Sequence, residues 1–225
     1  MFQRFVSIGI KVAIILALIP FVLVPVYAFV PPVSTTMLWR LLTRQPVARE
    51  WRPLEEISPN LVRAVIAAED ARYCTHHGVD WIEVGHAIDD ADDLGDARGA
   101  STIPMQTAKN LFLWQGHHLV RKALEVPLAY YISFMWTKRR LIEVYLNVAE
   151  WGPNGEFGAE AAARHAFRKS AYALLPDEAA MLAAVLPNPV QRNAARPSPG
   201  LIRLVARYRA EATLAGSPIT TCLAR

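Results

Sequence analysis

The residue best suited to chemistry is Glu69, because an acid stands there where a core residue belongs. Ser58 can cap a helix and Pro59 suits its first position. Asn60 to Tyr73 contains neither Gly nor Pro, so the spacing predicts a helix ending near Tyr73. On a wheel of about 100° per residue, Leu61, Val62, Val65, Ile66 and Tyr73 share one arc, with Glu69 near its middle. A carboxylate on that arc loses hydration and must be paired, hydrogen-bonded or raised in pKa. A raised pKa is what a general base needs. The competing reading is an ordinary helix-end pair with Arg72, three residues on.

Two later stretches carry positive charge. Residues 99–110 place a Gly and the hydroxyls of Ser101 and Thr102 ahead of a helical segment containing Gln106 and Lys109. Such parts suit a phosphate oxygen, though they also describe a plain helix start. Arg121 and Lys122 lie four and three residues before Glu125, so two cations and an acid share one helical face, which taken alone reads as a surface salt bridge. The acidic run at 89–93 resembles an Asp-x-Asp metal pattern, but Gly95 and Gly99 favour a solvated loop. The apolar cluster at 111–114, closed by a turn at Gln115-Gly116, suits either a core or a wedge into a bilayer.

The elements that must position these residues are mainly α-helical. After the turn at His76-His77-Gly78, helical patterns cover residues 81–88, then 138–147 behind Thr137, 159–167, 177–186 and a basic 201–215. Pro127 is expected to bend or interrupt the helix that carries Glu125. Hydrophobic residues make up 53% of the 225, and mean hydropathy is +0.18, high for a soluble protein. The excess comes from residues 12–33, an uncharged run long enough to span a bilayer despite Pro20 and Pro25. An uncleaved anchor is the preferred reading over a signal peptide cut after Ala28. The organisation expected is a tail and anchor at 1–33, a linker at 34–57 and a domain at 58–225. Arginines follow the span as well as precede it, so local charge does not set its orientation.

The net charge of +4 and pI near 9.2 suit an anionic partner or a membrane surface. Nucleic acid is not indicated, since zinc-ligand spacing, RNA-binding aromatic motifs and long basic tracts are all missing. Neither a Rossmann glycine motif nor a Walker loop occurs. Cys74 and Cys222 form a disulfide in an oxidising compartment or stay as two free thiols.

Taken in order, these stretches resemble the peptidoglycan glycosyltransferases of the lysozyme-like family GT51, in their monofunctional form. Glu69, Asp70, Tyr73, His76 and Gly78 are similar to its first motif, with Tyr73 for Phe. Residues 99–110 are similar to the second, with Ala100 for Gly and Met105 for Gln. Arg121, Lys122 and Glu125, then Thr137-Lys138 and Tyr145-Leu146-Asn147, are similar to the third. The resemblance covers residues 45–215. It implies a two-lobed, mainly α domain behind a single transmembrane helix, on the outer side of the bacterial inner membrane. It implies polymerisation of lipid II onto a growing glycan strand, with inversion at the anomeric carbon and release of undecaprenyl diphosphate. Membrane lipid and other wall-synthesis proteins are the implied partners. By that resemblance Glu69 is the base, Asp70 supports it, and Lys109, Arg121 and Lys122 bind diphosphate with Ser101 and Gln106. Glu125 orients the cations or holds Mg²⁺ or Mn²⁺, and His86 adds charge when protonated.

The sequence departs from the pattern at Met105 and Pro104, which remove an amide and a backbone N–H from the second motif, and at Ser133, which replaces a Glu. Neither Ser-x-x-Lys nor Lys-Thr-Gly occurs, so no transpeptidase is expected. Two rivals remain: a lytic enzyme that cleaves glycan with the same helix-borne Glu, and a membrane scaffold with weakened chemistry.

Overall fold

The computed structural model describes residues 2–89, 101–114, 118–215 and 218–224. The acidic run beyond Asp89, Gly95, Gly99, Ala100 and the Gln115-Gly116 turn lie outside them. Among the described residues, ten α-helices run α1 Phe2–Tyr27, α2 Thr35–Leu42, α3 Pro59–Glu69, α4 Trp81–Asp89, α5 Ile103–Phe112, α6 His118–Met135, α7 Lys138–Val148, α8 Ala159–Phe167, α9 Pro176–Val185 and α10 Pro199–Ala215. The strands are two residues each, β1 Ala48–Arg49 and β2 Glu156–Phe157, paired in parallel. The described residues are thus mainly α, as the periodicities predict.

The helices form two packed groups. α3 lies against α9 and α10, while α5 lies against α6 and α7. One apolar core joins the groups through Leu61, Val65, Ile66, Ile103, Leu141 and Tyr145. Helix starts follow their capping chemistry: Ser58, Thr102 and Thr137 each accept a backbone N–H of the first turn of α3, α5 and α7.

Four expectations need correction. α3 ends at Glu69 rather than Tyr73, because Asp70 takes φ −164° and ψ 67° to reach partners outside the helix. α6 continues through Pro127, which is exposed on its outer side. α1 carries Pro20 and Pro25 internally and stops at Tyr27, short of residue 33; its stretch Val6–Tyr27 is long and apolar enough to cross a bilayer. Residues 34–57 are not a loose linker. Met37 of α2 is buried, Thr35 Oγ1 donates to the carbonyls of Asn110 and Leu113, and Asn147 of α7 exchanges two hydrogen bonds with the Arg52 backbone.

Gly78 shows why the turn after α3 needs its glycine. Its φ is +118°, and a Cβ there would lie 3.0 Å from the Tyr130 amide nitrogen of α6. This close approach lets the Gly78 carbonyl accept the Thr102 hydroxyl at 2.5 Å, joining the turn to the start of α5.

Cys74, in the same turn, is disulfide-bonded to Cys222, which settles the pairing left open above. The bond ties the terminal 3-10 turn Pro218–Leu223 beside α3 and α7. Because it closes a separation of 148 residues, loop entropy in the unfolded chain predicts a stabilisation of about 3–5 kcal/mol. Cys222→Ser is therefore expected to lower the unfolding midpoint in detergent. Wild type treated with reductant should fall to the variant's value, and the variant should not respond to reductant.

Candidate active site

Glu69 is the last residue of α3, a helix packed against α9 and α10, and its side chain reaches Gln106 of α5. Its Oε2 accepts Gln106 Nε2 at 2.7 Å, and Gln106 Oε1 accepts the Tyr145 hydroxyl at 3.0 Å. The Tyr145 O–H fixes the Gln106 amide so that its N–H₂ faces the carboxylate. The other oxygen, Oε1, is buried and has no hydrogen-bond partner. Burial raises the pKa of Glu69; the Gln106 hydrogen bond and the charges of Lys109 and Arg192 oppose that rise without cancelling it. The pair with Arg72 does not form, because Arg72 Nε donates to Asp80 Oδ2 at 2.8 Å.

Asp70 is committed on both oxygens. Oδ1 is 2.8 Å from His76 Nε2, and Oδ2 accepts the Ile103 N–H at 2.9 Å. It therefore supports geometry, clamping the end of α3 and the following turn to the first residue of α5. Tyr73, fully buried, donates its hydroxyl to the Lys138 carbonyl at 2.7 Å. The Lys138 ammonium in turn reaches the Tyr73 carbonyl and lies 4.2 Å from its ring centroid. Burial lowers Lys138 to about 8, against the opposing pull of Asp70.

The cations of α5 and α6 come together around Glu125. On α6, Arg121 pairs with Glu125 Oε1, and Lys122 Nζ lies 3.4 Å from Glu125 Oε2 while donating to the Ser101 hydroxyl. Lys109 of α5 is within electrostatic reach of Arg121, Lys122, Glu125 and Glu69 together. Burial, then Arg121, lowers its pKa. Among the described residues, three cations thus gather around Glu125, with Glu69 also within reach of Lys109, in a partly dry site where an anion is favoured.

The pattern's other residues divide. Ser101 and Gln106 join the site, whereas His86 is exposed on α4 and takes no part in these contacts. Glu125, 2% exposed, has both oxygens engaged by Arg121 and Lys122, and no three His, Cys, Asp or Glu side chains among the described residues converge as ligands. Glu125 does not fit a resident divalent ion among the described residues, because side-chain cations already engage both its oxygens.

Met105 is not a gap in the site either. It is 1% exposed and packs with Val79 and Ala129 in a small apolar cluster. Pro104 lies in the first turn of α5, where a helix makes no use of the missing N–H. Pattern reading missed Arg192, in the loop after α9, and Tyr208 of α10, both within electrostatic reach of Glu69. Nothing local marks either residue. Tyr145 is legible in the sequence as an apolar position of α7 and as part of the third motif, but nothing there marks the hydroxyl that reaches Gln106.

The transglycosylase family pattern matches residues 36–213. The chain belongs to the transglycosylase family. Among its relatives, a biosynthetic peptidoglycan transglycosylase of Rhodopseudomonas palustris strain TIE-1 is 54% identical over 213 residues, covering 95% of this chain and 90% of that protein. Proteins of the same name from Nitrobacter winogradskyi and Brucella suis biovar 1 are 51% and 46% identical, covering 90% and 97% of each chain respectively. A transglycosylase of this kind is a glycosyl transferase of peptidoglycan synthesis, and the match begins within the stretch first read as a linker.

The Tyr145–Gln106–Glu69 chain leads to one expectation. Tyr145→Phe should lower activity by about tenfold through loss of one orienting hydrogen bond, without loss of the folded state in circular dichroism. Met105→Gln should instead lower the unfolding midpoint, because it buries an amide in the Val79–Ala129 cluster, and should not raise turnover.

Proposed function

We propose that the enzyme polymerises lipid II, transferring the lipid-linked glycan chain to the C4 hydroxyl of an acceptor sugar in a single inverting displacement. The acceptor oxygen attacks the anomeric carbon, the bond to the diphosphate breaks, and the hydroxyl proton passes to Glu69 Oε1. The observation that carries this reading is the pairing of two features: a buried carboxylate oxygen without a partner, and an adjoining set of cations in excess over Glu125. One supplies a base, the other a seat for a departing diphosphate.

Chemically, a hydroxyl is a poor nucleophile and a diphosphate a good leaving group once its charge is neutralised. Gln106 holds Glu69 Oε2, so Oε1 is the oxygen left to take the proton. Arg121 and Lys122, held in place by Glu125, meet the phosphate oxygens, while Lys109 lies between them and the base. The charge on the leaving group is met by side chains in this scheme. A glycan hydrolase using Glu69 has no comparable need for three cations, which favours transfer over cleavage.

We place the domain on the outer side of the bacterial inner membrane, with α1 as a single-pass anchor. The apolar length of α1 and the Cys74–Cys222 disulfide, a bond typical of oxidising compartments, support this. Neither transpeptidase activity nor a nucleic-acid partner is proposed.

Glu69→Gln should abolish polymer formation from labelled lipid II, a loss of about 10²- to 10⁴-fold, while wild type gives polymer. The same change should raise the unfolding midpoint at neutral pH. A carboxyl whose folded pKa is raised stabilises fully below its unfolded pKa, and that contribution is lost as pH rises through the folded value, so a neutral amide escapes the loss. The acid limb of kcat/KM should lie above the usual Glu value of about 4.3. Lys109→Met should move that limb to still higher pH, because it removes a charge that favours the ionised form.

A further inference from the structure

The end of α1 is fastened to the domain through its own backbone. Pro25 has no N–H, so the Phe21 carbonyl one turn earlier lacks its helical partner. The Tyr131 hydroxyl of α6 donates to it at 3.1 Å, with the Tyr131 and Phe21 rings 5.0 Å apart. Trp136 Nε1 donates to the Val24 carbonyl at 2.7 Å. Arg140 of α7 donates Nε and a terminal nitrogen to the Tyr27 carbonyl at 3.1 and 2.9 Å, and the same nitrogen to Val30 at 2.7 Å. The acceptors thus recur every third residue along the segment that leaves the apolar span. The Tyr27 ring also stacks on Phe112 of α5. A swivelling tether has no need of these bonds. In lipid each free carbonyl is costly, so an apolar helix with such donors beside it stays docked.

α6 is the element that links this junction to the site. Arg121 and Lys122 lie near its start and Tyr131 near its end, nine residues from Lys122, about 14 Å along a helix rising ~1.5 Å per residue. Its outer side carries exposed Val120, Leu124 and Phe134, the last 85% exposed. The same helix therefore presents cations inward and apolar surface outward, beside the span.

We propose that Tyr131, Trp136 and Arg140 are positioning residues: by binding the carbonyls at the end of α1, they make α6 a rigid extension of the anchor and hold Lys109, Arg121 and Lys122 at the depth of a lipid diphosphate. The proposal rests on the glycosyl-transfer reading above. A lipid headgroup is confined to a narrow layer of the bilayer, so cations held at that depth meet it without a search across the interface. In detergent micelles, substrate and enzyme adjust to each other and the constraint has little effect.

The test compares wild type with Trp136→Phe/Arg140→Gln, assayed with lipid II in vesicles of phosphatidylethanolamine and phosphatidylglycerol and in detergent micelles. The expected result is a KM about tenfold higher in vesicles with kcat within about twofold, and wild-type values in micelles. Hydrogen exchange in nanodiscs should speed up at residues 24–33 of the variant, and Arg140→Lys in place of Arg140→Gln should recover part of the KM. An unchanged vesicle KM would overturn the proposal, as would equal losses in vesicles and micelles, which mark a role in folding alone. If wild type makes no polymer in either medium, the glycosyl-transfer reading falls first, and with it the purpose assigned to the docking.

Discussion

The site depends on the double commitment of Asp70. One oxygen faces His76 and the other takes the Ile103 N–H, so a single buried carboxylate joins the end of α3, the following turn and the start of α5. Ionised groups are tolerated in a core only when their hydrogen-bonding capacity is met, and here the partners come from three separate segments. That junction ends α3 at Glu69, the candidate base, and turns the chain away there. It also places the start of α5 so that Gln106, one turn on, meets Glu69.

A second constraint is charge. Glu69 and the cations of α5 and α6 influence each other through Lys109, which is within reach of both. Burial pushes the acid up and the lysine down, and each partly offsets the other. Glu125 performs a different task from Glu69 although both are glutamates: with both oxygens taken by Arg121 and Lys122, it sets the geometry of the cations. The two acids are separated in role by which of their oxygens remains free.

Two of the departures from the family pattern, Met105 and Pro104, follow from packing. Met105 packs into a small apolar cluster about 100° around α5 from Gln106, and Pro104 occupies a helix position that tolerates it. A second-motif amide is therefore still present at the base, supplied by Gln106 and oriented by Tyr145. The stretch between the anchor and the domain is likewise structural: α2 and β1 contribute buried and hydrogen-bonded residues to the body of the enzyme.

From the sequence alone, helical periodicity and capping residues determined the mainly α fold and most helix starts, and an acid on an apolar arc determined Glu69 as the candidate base. The spacing of Arg121, Lys122 and Glu125 determined that they share a face, since i+3 and i+4 neighbours on a helix must. Tertiary structure decided what lies beyond one element. It decided that Asp70 is a clamp, that His86 stays outside the site, that Met105 is core, that Cys74 pairs with Cys222, and that Arg192 comes within electrostatic reach of Glu69. Each of these depends on contacts between residues distant in the chain, and local periodicity carries no record of which distant partner a side chain will meet.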